Sequence, residues 1–254
     1  DNYPSSDHDC SQIEFNINTA DLMYLLQSTA FAMAQQDVRI YLNGLFLEMT
    51  PKSITAVAAD GHRMAICSIP STINTEHWRL KNHKKGVQEV LRLLSSADSD
   101  QVLVSVSNNN FSVVSSQYIF SSKLIEARFP PYTKVIPRAQ DKHVSIDRNI
   151  LKRSLARVII MANEKSRAVL LHIQDSKLTL SATNQEHEES YESLAATTQG
   201  DELEIGLNAT YLLEVLNHLP EGILNLSFTN ADSSILVQSA QDDNYQYIIM
   251  PMRI

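Results

Sequence analysis

The chain has 254 residues, with 29 acidic and 21 basic side chains, a net charge of −8 and 43% hydrophobic residues. These values are typical of one large or two ordinary globular domains and exclude an intrinsically disordered chain. Its six glycines stand where neither a GxGxxG dinucleotide loop nor a GxxxxGK[ST] phosphate loop can form. Taken alone, the acidic balance also argues against nucleic acid, because phosphate binding depends on Lys and Arg.

Cysteine content and hydropathy indicate the compartment. Cys10 and Cys67 are the only cysteines and have no CxxC partner, so a disulfide framework and a zinc knuckle are both excluded. No apolar run approaches the roughly 18 residues of a membrane span, and the first ten residues are polar and acidic, unlike a signal peptide. We therefore expect a reduced, cytoplasmic protein.

The first half of the chain alternates strand and helix patterns. A short alternating strand from Phe15 leads into one apolar helical stripe over residues 22–33. Residues 53–60 alternate as a strand, residues 85–94 carry a second helical stripe, and residues 102–114 are typical of strand, Asn-rich turn and strand. This pattern predicts an α+β domain.

The run ADGHRMA, residues 59–65, lies between two strand patterns. Gly61 can adopt a positive φ, so Asp-Gly predicts a tight hairpin turn that places His62 and Arg63 at the start of the next strand. An ordinary surface turn with two polar residues is one interpretation. A binding turn is the other.

A proline-rich segment, RFPPYTKVIP at residues 128–137, separates the two halves. Its three prolines and the stretch from Tyr132 to Lys134 predict an extended interdomain connector. We place the boundary near Tyr132.

The second half repeats the first at an offset of about 121 to 129 residues, so the chain contains an internal duplication. Leu22 and Leu26 match Leu151 and Leu155, for example. The corresponding segments are the strand from Val144, the helix 148–160, the strand 177–184, the helix 210–219 and the strand, turn and strand over 223–237. The repeat predicts two α+β domains, each internally doubled, with two helices on one face of a sheet.

Charge is also patterned in the second half. Residues 142–167 contain seven basic residues against two acidic ones, and residues 186–204 contain seven acidic residues and no Lys or Arg. Two solvated faces explain this pattern, and so does a basic surface kept apart from an acidic one. On helix 148–160, Arg153 and Arg157 lie opposite the apolar stripe, either as ordinary solvated side chains or as cations for phosphates.

The chain ends in YIIMPMRI, residues 247–254. Tyr245 to Ile249 alternate as a last strand that Pro251 stops. A terminal strand docked on its own sheet is one interpretation. The other is a groove lined by Met and Ile that accepts apolar side chains of a partner, because methionine adapts to several ligands.

The enzyme interpretation has no motif to support it. The densest metal-like run, EHEE at 186–189, lacks the paired histidine spacing of a zinc site, and no GxSxG is present. We expect no catalytic residue, no metal and no cofactor.

Together these motifs resemble the bacterial DNA polymerase III sliding clamp family, its beta subunit. The resemblance rests on six segments that fall in the family's order: QDVRIYLNGLFLE at 36–48, ADGHRMA at 59–65, SKLIEARFPPYTKVIP at 122–137, NEKSRAVLL at 163–171, IGLNATYLLEVL at 205–216 and YIIMPMRI at 247–254. It implies two DNA-clamp domains, residues 1–132 and 133–254, equivalent to the family's second and third domains. An N-terminal clamp domain of similar size is then expected to be absent from this chain.

The resemblance also implies a pocket between these domains that accepts peptides from polymerase subunits, the clamp loader and repair proteins. The matching positions are Leu42, Gly61, His62, Arg63, Met64, Pro130, Lys134, Val135, Asn208, Tyr211, Ser234, Ile249, Met250, Pro251, Met252, Arg253 and Ile254. Four positions in or near it, Ala59, Lys134, Ser166 and Ile254, depart from the residues common in the family.

For DNA, the resemblance gives Gln36, Tyr41, Lys84 and Lys85, and the helix pattern adds Arg153 and Arg157. The implied function is a non-catalytic processivity clamp of the replicative polymerase. In the family, two protomers form a ring around duplex DNA without sequence specificity, and an ATP-driven loader places it there. Without the first domain, we expect this chain not to close that ring. The alternatives are a non-ring protein-interaction module of the same fold and an enzyme with a site between the domains.

Overall fold

A computed structural model describes residues 13–71, 73, 77–137 and 140–253. The chain divides into two compact units, the first formed by Asp1–Asp60 and Cys67–Phe129 and the second by Gly61–Ile66 and Pro130–Ile254. The turn predicted at Gly61 therefore belongs to the second unit, although its sequence neighbours on both sides belong to the first. The sequence predicted no such exchange.

Within the described residues, the first unit has ten helices and strands in the order strand, helix, three strands, repeated once. They are β1 (Ile13–Asn18), α1 (Thr19–Gln27), β2 (Gly44–Met49), β3 (Ser53–Ala59), β4 (Arg63–Pro70, which begins in the second unit), β5 (Trp78–His83), α2 (Lys84–Ser95), β6 (Gln101–Val106), β7 (Asn110–Val114) and β8 (Ile119–Lys123).

The second unit repeats this order with one added short strand. Its elements are β9 (Lys142–Asp147), α3 (Arg148–Val158), β10 (Ala168–Gln174), β11 (Lys177–Thr183), β12 (Glu189–Ala195), β13 (Thr197–Gln199), β14 (Leu203–Asn208), α4 (Ala209–His218), β15 (Ile223–Phe228), β16 (Ile235–Ser239) and β17 (Tyr245–Ile249).

The sheets are antiparallel throughout the pairings described. In the first unit one sheet has the order β1-β6-β7-β8, and β5-β2-β3 forms another with the end of β4. In the second unit one sheet has the order β12-β11-β10-β14, and another runs β13-β9-β15-β16-β17 and on to the start of β4. Helices α1 and α2 pack together in the first unit and α3 and α4 in the second, each pair against strands of its own unit. The predicted α+β fold, with two helices on antiparallel sheet in each domain, is confirmed.

The helical stripes predicted from the sequence form much of each core. In α3, Leu151, Leu155 and Val158 are buried, and Ile159 just beyond the helix is half-buried. In α4, Leu212 and Leu216 are fully buried. Their burial against the sheets is what fixes the helices, because a helix of ten or eleven residues is marginal by itself.

The first helix is shorter than its apolar stripe predicts. The stripe runs to Met33, but α1 ends at Gln27. Thr29 leaves the helical conformation and its hydroxyl donates to the Leu25 carbonyl at 2.7 Å, so a side chain takes an acceptor of the last turn. Thr29 and Met33 stay buried, which explains why the hydrophobic pattern continues beyond the helix.

The connector is less extended than predicted. Tyr132–Lys134 forms a 3-10 turn, in which the N–H of Lys134 donates to the Pro131 carbonyl at 3.1 Å. The N–H of Val135 donates to the Tyr132 carbonyl at 2.9 Å. Proline at the position before the turn fixes φ near −66°, a value that suits turn entry as well as extended chain.

Two residues named from the sequence, Cys10 and Ile254, lie outside the described residues. The Cys67 thiol is buried in β4. In the part of the chain that the structure describes, no helix is both long and apolar enough to cross a membrane.

Candidate functional site

The turn predicted at ADGHRMA carries the first part of the site. Gly61 has a φ of 93°, the left-handed conformation that the sequence predicted for it and that a residue with a Cβ rarely adopts. The turn leaves Gly61 and His62 exposed, and Arg63 begins strand β4. Met64 follows as a buried residue, 6% exposed.

Helix α4 provides an aromatic surface for this turn. The Arg63 guanidinium lies 4.5 Å from the centre of the Tyr211 ring, within cation–π range. The His62 ring stacks on the same tyrosine, with centroids 6.2 Å apart and planes inclined by 21°. Tyr211 therefore contacts two consecutive residues of the turn.

An ion pair completes the environment of Arg63. Its side chain is only 9% exposed, and the guanidinium donates to a carboxylate oxygen of Glu214, whose own side chain is 40% exposed. A guanidinium so deeply buried requires a compensating charge, because its desolvation is costly. Glu214 was not among the residues predicted from the sequence, because it lies 151 residues from Arg63 and no local spacing signals the pair.

The start of α4 is fixed by its own cap. Asn208 accepts the backbone N–H of Thr210 at 2.9 Å and that of Tyr211 at 3.3 Å, as an N-cap side chain does. The Asn208 amide also donates to the Ser166 carbonyl at 3.3 Å, and the N–H of Ala209 donates to the Arg167 carbonyl at 2.8 Å. The cap thus ties α4, and the Tyr211 ring on its first turn, to the loop before β10.

The C-terminal segment lies between the turn and strand β14. The N–H of Met250 donates to the His62 carbonyl at 2.9 Å, and the N–H of Met252 donates to the Gly206 carbonyl at 2.8 Å. Met250 is 43% exposed and Pro251 and Met252 are partly exposed. Backbone hydrogen bonds therefore hold an apolar segment at the surface. We call this arrangement the terminal site: Gly61–Arg63, Asn208, Tyr211, Glu214 and Met250–Met252.

The remaining predicted pocket residues have different surroundings. Ile249 is fully buried and pairs with Ile235 in the sheet, so it supports the terminal site from the core. Ser234, just before β16, is partly exposed, and Arg253, just after Met252, is exposed. Leu42 belongs to the first unit, where it is 4% exposed.

The connector residues of the predicted pocket are at the surface of the second unit. Pro130 and Lys134 are exposed and Val135 is 47% exposed, all beside or within the 3-10 turn. An exposed valine next to a lysine offers apolar contact with a cation beside it.

In the first unit, the predicted DNA-facing residues are mostly at the surface. Gln36 and Lys85 are exposed, and Lys84 is half-buried with its Nζ 3.5 Å from the Met33 carbonyl. The Tyr41 ring meets Phe129 edge to face, with centroids 6.1 Å apart. Lys84 and Lys85 form the first turn of α2.

In the second unit, Arg153 and Arg157 differ. Both are exposed on α3, and the Nε of Arg153 donates to the Asn149 carbonyl at 3.2 Å. Arg157 instead pairs with Glu192 of β12 through two hydrogen bonds, one of them 2.6 Å long, and contacts Ser154. Hydrogen bonding to Glu192 raises the pKa of Arg157, and hydrogen bonding to Arg157 and then to Ser154 lowers the pKa of Glu192. The charge of Arg157 is therefore largely compensated.

That ion pair also bears on the charge pattern. Helix α3 of the basic stretch packs against β12 of the acidic stretch, and Arg157 and Glu192 join them. The interpretation in which a basic surface is kept apart from an acidic one is wrong at this position. Among the described residues, no group of three or more His, Cys, Asp or Glu side chains is placed to hold a metal ion.

Doubled strand–helix–three-strand units with paired helices on antiparallel sheet define the DNA-clamp class of protein. Two family profiles match in order: the DNA polymerase III beta subunit central domain over residues 16–131, and its C-terminal domain over residues 133–253. The chain therefore belongs to the family of the DNA polymerase III beta subunit, the bacterial beta sliding clamp.

Individual relatives agree with this assignment. The beta sliding clamps of Escherichia coli K12 and Haemophilus influenzae are each 38% identical over 252 residues, which is 99% of this chain and 69% of theirs. The solved DNA polymerase III subunit beta of Pseudomonas aeruginosa is 36% identical, with a TM-score of 0.96 over 100% of this chain and 69% of that one. A P. aeruginosa clamp bound to griselimycin has a TM-score of 0.95 at 36% identity, covering 99% and 68%. The chain is thus a sliding-clamp protein of DNA replication and processivity.

Proposed function

We propose that the chain supplies two domains of a ring that encircles duplex DNA, and that its terminal site docks peptides of polymerase subunits, the clamp loader and repair proteins. It performs no chemistry and needs no cofactor or metal. Its place is the bacterial cytoplasm, where the replicated DNA is. The single observation that carries the docking proposal is the hydrogen-bonded, surface-exposed Met250–Met252 segment.

The composition of the terminal site supports peptide docking. Met250 and Met252 offer flexible apolar side chains, while Tyr211 and His62 offer flat ring surfaces. The backbone of the segment is already bonded to the His62 and Gly206 carbonyls, so little ordering entropy remains to be lost when a peptide binds. A clamp of P. aeruginosa has been solved with griselimycin bound, so a relative of this fold binds a ligand.

Contact with DNA is proposed for three cations on two helices. Lys84 and Lys85 begin α2, and Arg153 lies exposed on α3. They can contact phosphates without sequence readout, which suits a protein that moves along the duplex. Arg157 contributes less, because Glu192 already binds it.

Ring closure is proposed for the full-length protein through the second unit. Strand β12 is one of the two edge strands of its sheet, and Tyr191 on it is 77% exposed. Beyond α3, Ile160 is 74% exposed and Met161 is 37% exposed. An edge strand beside exposed apolar side chains is a surface that a second protomer can cover.

Peptide binding tests the docking proposal. A labelled peptide with the Gln-plus-hydrophobic motif that the resemblance to the clamp family implies for its partners should bind this chain, and deletion of residues 250–254 or the single change Met250→Ala should weaken that binding. Ile119→Ala removes an equally apolar, 77% exposed side chain from the first unit and is the matched control. Unchanged affinity after the deletion would refute the assignment of the terminal site.

Retention on DNA tests encirclement. Full-length protein loaded on circular DNA should remain bound and should dissociate when the DNA is linearised. Equal retention on both forms would contradict a ring and favour the non-ring interaction module.

A further inference from the structure

Glu214 is the one acidic residue of α4, and its contacts place it against Arg63. The Arg63 side chain is 9% exposed, while that of Glu214 is 40% exposed, so solvent reaches the ion pair from the carboxylate side. The same guanidinium lies over the Tyr211 ring, at 4.5 Å from its centre. Arg63 is therefore held on two sides by residues one helical turn apart.

These contacts decide what Arg63 can do for a bound peptide. One terminal N–H of Arg63 donates to the Glu214 carboxylate, which offsets much of the guanidinium charge and engages that donor. It then offers a peptide the flat, packed surface that it forms with Tyr211 and His62, and little net positive charge. Without the carboxylate, the same guanidinium would be a cation beside the exposed Met250 segment.

We infer that Glu214 is a positioning and specificity-determining residue of the terminal site, which holds Arg63 over Tyr211 and makes the site select against acidic peptides. The inference rests on the proposed docking function for its peptide specificity. The placement of Arg63 by Glu214 stands without a peptide. The unmodified site favours neutral, apolar peptides, because a peptide carboxylate finds Arg63 already paired and meets Glu214 nearby.

The test compares Glu214→Gln with Glu186→Gln, each the same chemical change in the second unit. Glu186 is exposed in the acidic loop before β12. The probes are peptides with one Gln-plus-hydrophobic motif, in which the flanking positions carry either serine or, one at a time, glutamate. In Glu214→Gln, the best glutamate peptide should gain about two- to fivefold in affinity relative to the serine peptide, the upper part of the range of a partly exposed ion pair. Glu186→Gln should leave the ratio as it is in the unchanged chain.

The inference would be overturned if Glu214→Gln left the ratio of the two peptide affinities unchanged, whether both affinities fell equally or neither changed. A merely structural role of Glu214 would lower both affinities together. A second measurement needs no peptide. The Nε–H resonance of Arg63 should be shifted by the Tyr211 ring in the unchanged chain and should move toward the position of an exposed arginine in Glu214→Gln only. An unmoved resonance would overturn the positioning role. If no peptide binds the unchanged chain, the docking proposal fails by itself, and this resonance alone decides whether Glu214 positions Arg63.

Discussion

The N-cap of α4 offers a direct test of how the terminal site is built. Asn208→Ala removes two accepted hydrogen bonds, from the N–H groups of Thr210 and Tyr211, and one donated to the Ser166 carbonyl. Loss of an N-cap side chain costs about 1 kcal/mol, and the bond to the carbonyl adds roughly 0.5–1 kcal/mol. The free energy of unfolding of the second unit should therefore fall by roughly 1.5–2 kcal/mol.

A second cap provides the matched control. Asp147 accepts the N–H of Ile150 at 2.9 Å at the start of α3, so Asp147→Ala should cost about 1 kcal/mol. At about 2–4 °C per kcal/mol for a chain of this size, Tm should fall by roughly 3–8 °C in Asn208→Ala and by about 2–4 °C in Asp147→Ala. Only Asn208→Ala should also weaken peptide binding, because only that cap fixes the turn that carries Tyr211.

Thermal unfolding followed by circular dichroism gives the stability, and fluorescence anisotropy of a labelled Gln-plus-hydrophobic peptide gives the affinity. Asn208→Asp keeps the capping acceptor and loses the donor to Ser166, so it should retain most of the stability. Equal loss of peptide affinity in Asp147→Ala and Asn208→Ala would refute the reasoning, because it would show that general destabilisation explains the effect.

Three further predictions concern other parts of the chain. Gly61→Ala places a Cβ at a φ of 93° and should cost about 1–2 kcal/mol and weaken peptide binding, measured by denaturation and anisotropy. Arg153→Gln should lower retention on DNA at low salt more than Arg157→Gln does, because Glu192 already compensates Arg157; equal losses would contradict this. Lys81 is 6% exposed, its Nζ makes no hydrogen bond within the described residues, and burial lowers its pKa. Because an unpaired buried amine is costly, Lys81→Met should raise the free energy of unfolding by about 1 kcal/mol, measured by urea titration. In the unchanged chain, the free energy of unfolding should rise with pH between the lowered folded pKa of Lys81 and its unfolded value near 10.5, because the unfolded state binds more protons in that range. Lys81→Met should abolish that rise.

The fold was predictable because its signals are local and repeated. Each half of the chain carries apolar stripes with helical spacing between alternating strands, and the duplication shows the same order twice. The end of α1 was not predictable in the same way, because the apolar pattern continues through Thr29 and Met33 after the helix has stopped. Burial and helical conformation are separate properties there, and a pattern of hydrophobic residues reports only burial.

The terminal site was only partly predictable. The turn at Gly61 and the apolar C-terminus are visible in the sequence because each is a contiguous run. The partner of Arg63 is Glu214, which is 151 residues away, and no local spacing links a turn to a helix at that distance. The turn could be recognised from the sequence, whereas the carboxylate that compensates its arginine required the folded chain.

The net charge of −8 is compatible with the proposed encirclement of DNA once the ion pairs are known. Arg39 pairs with Asp37 and Arg92 with Glu89, as Arg157 does with Glu192, so these arginines contribute little free positive charge. The proposed contacts reduce to Lys84, Lys85 and Arg153, or roughly three phosphates per chain, which predicts a slope of about −3 for log affinity against log salt. A slope this shallow corresponds to weak phosphate affinity, which would let the proposed ring hold DNA by topology and still move along it. A slope near −8 for one chain, measured by salt titration of binding to a short duplex, would mean that many more cations contact the DNA and would refute this account.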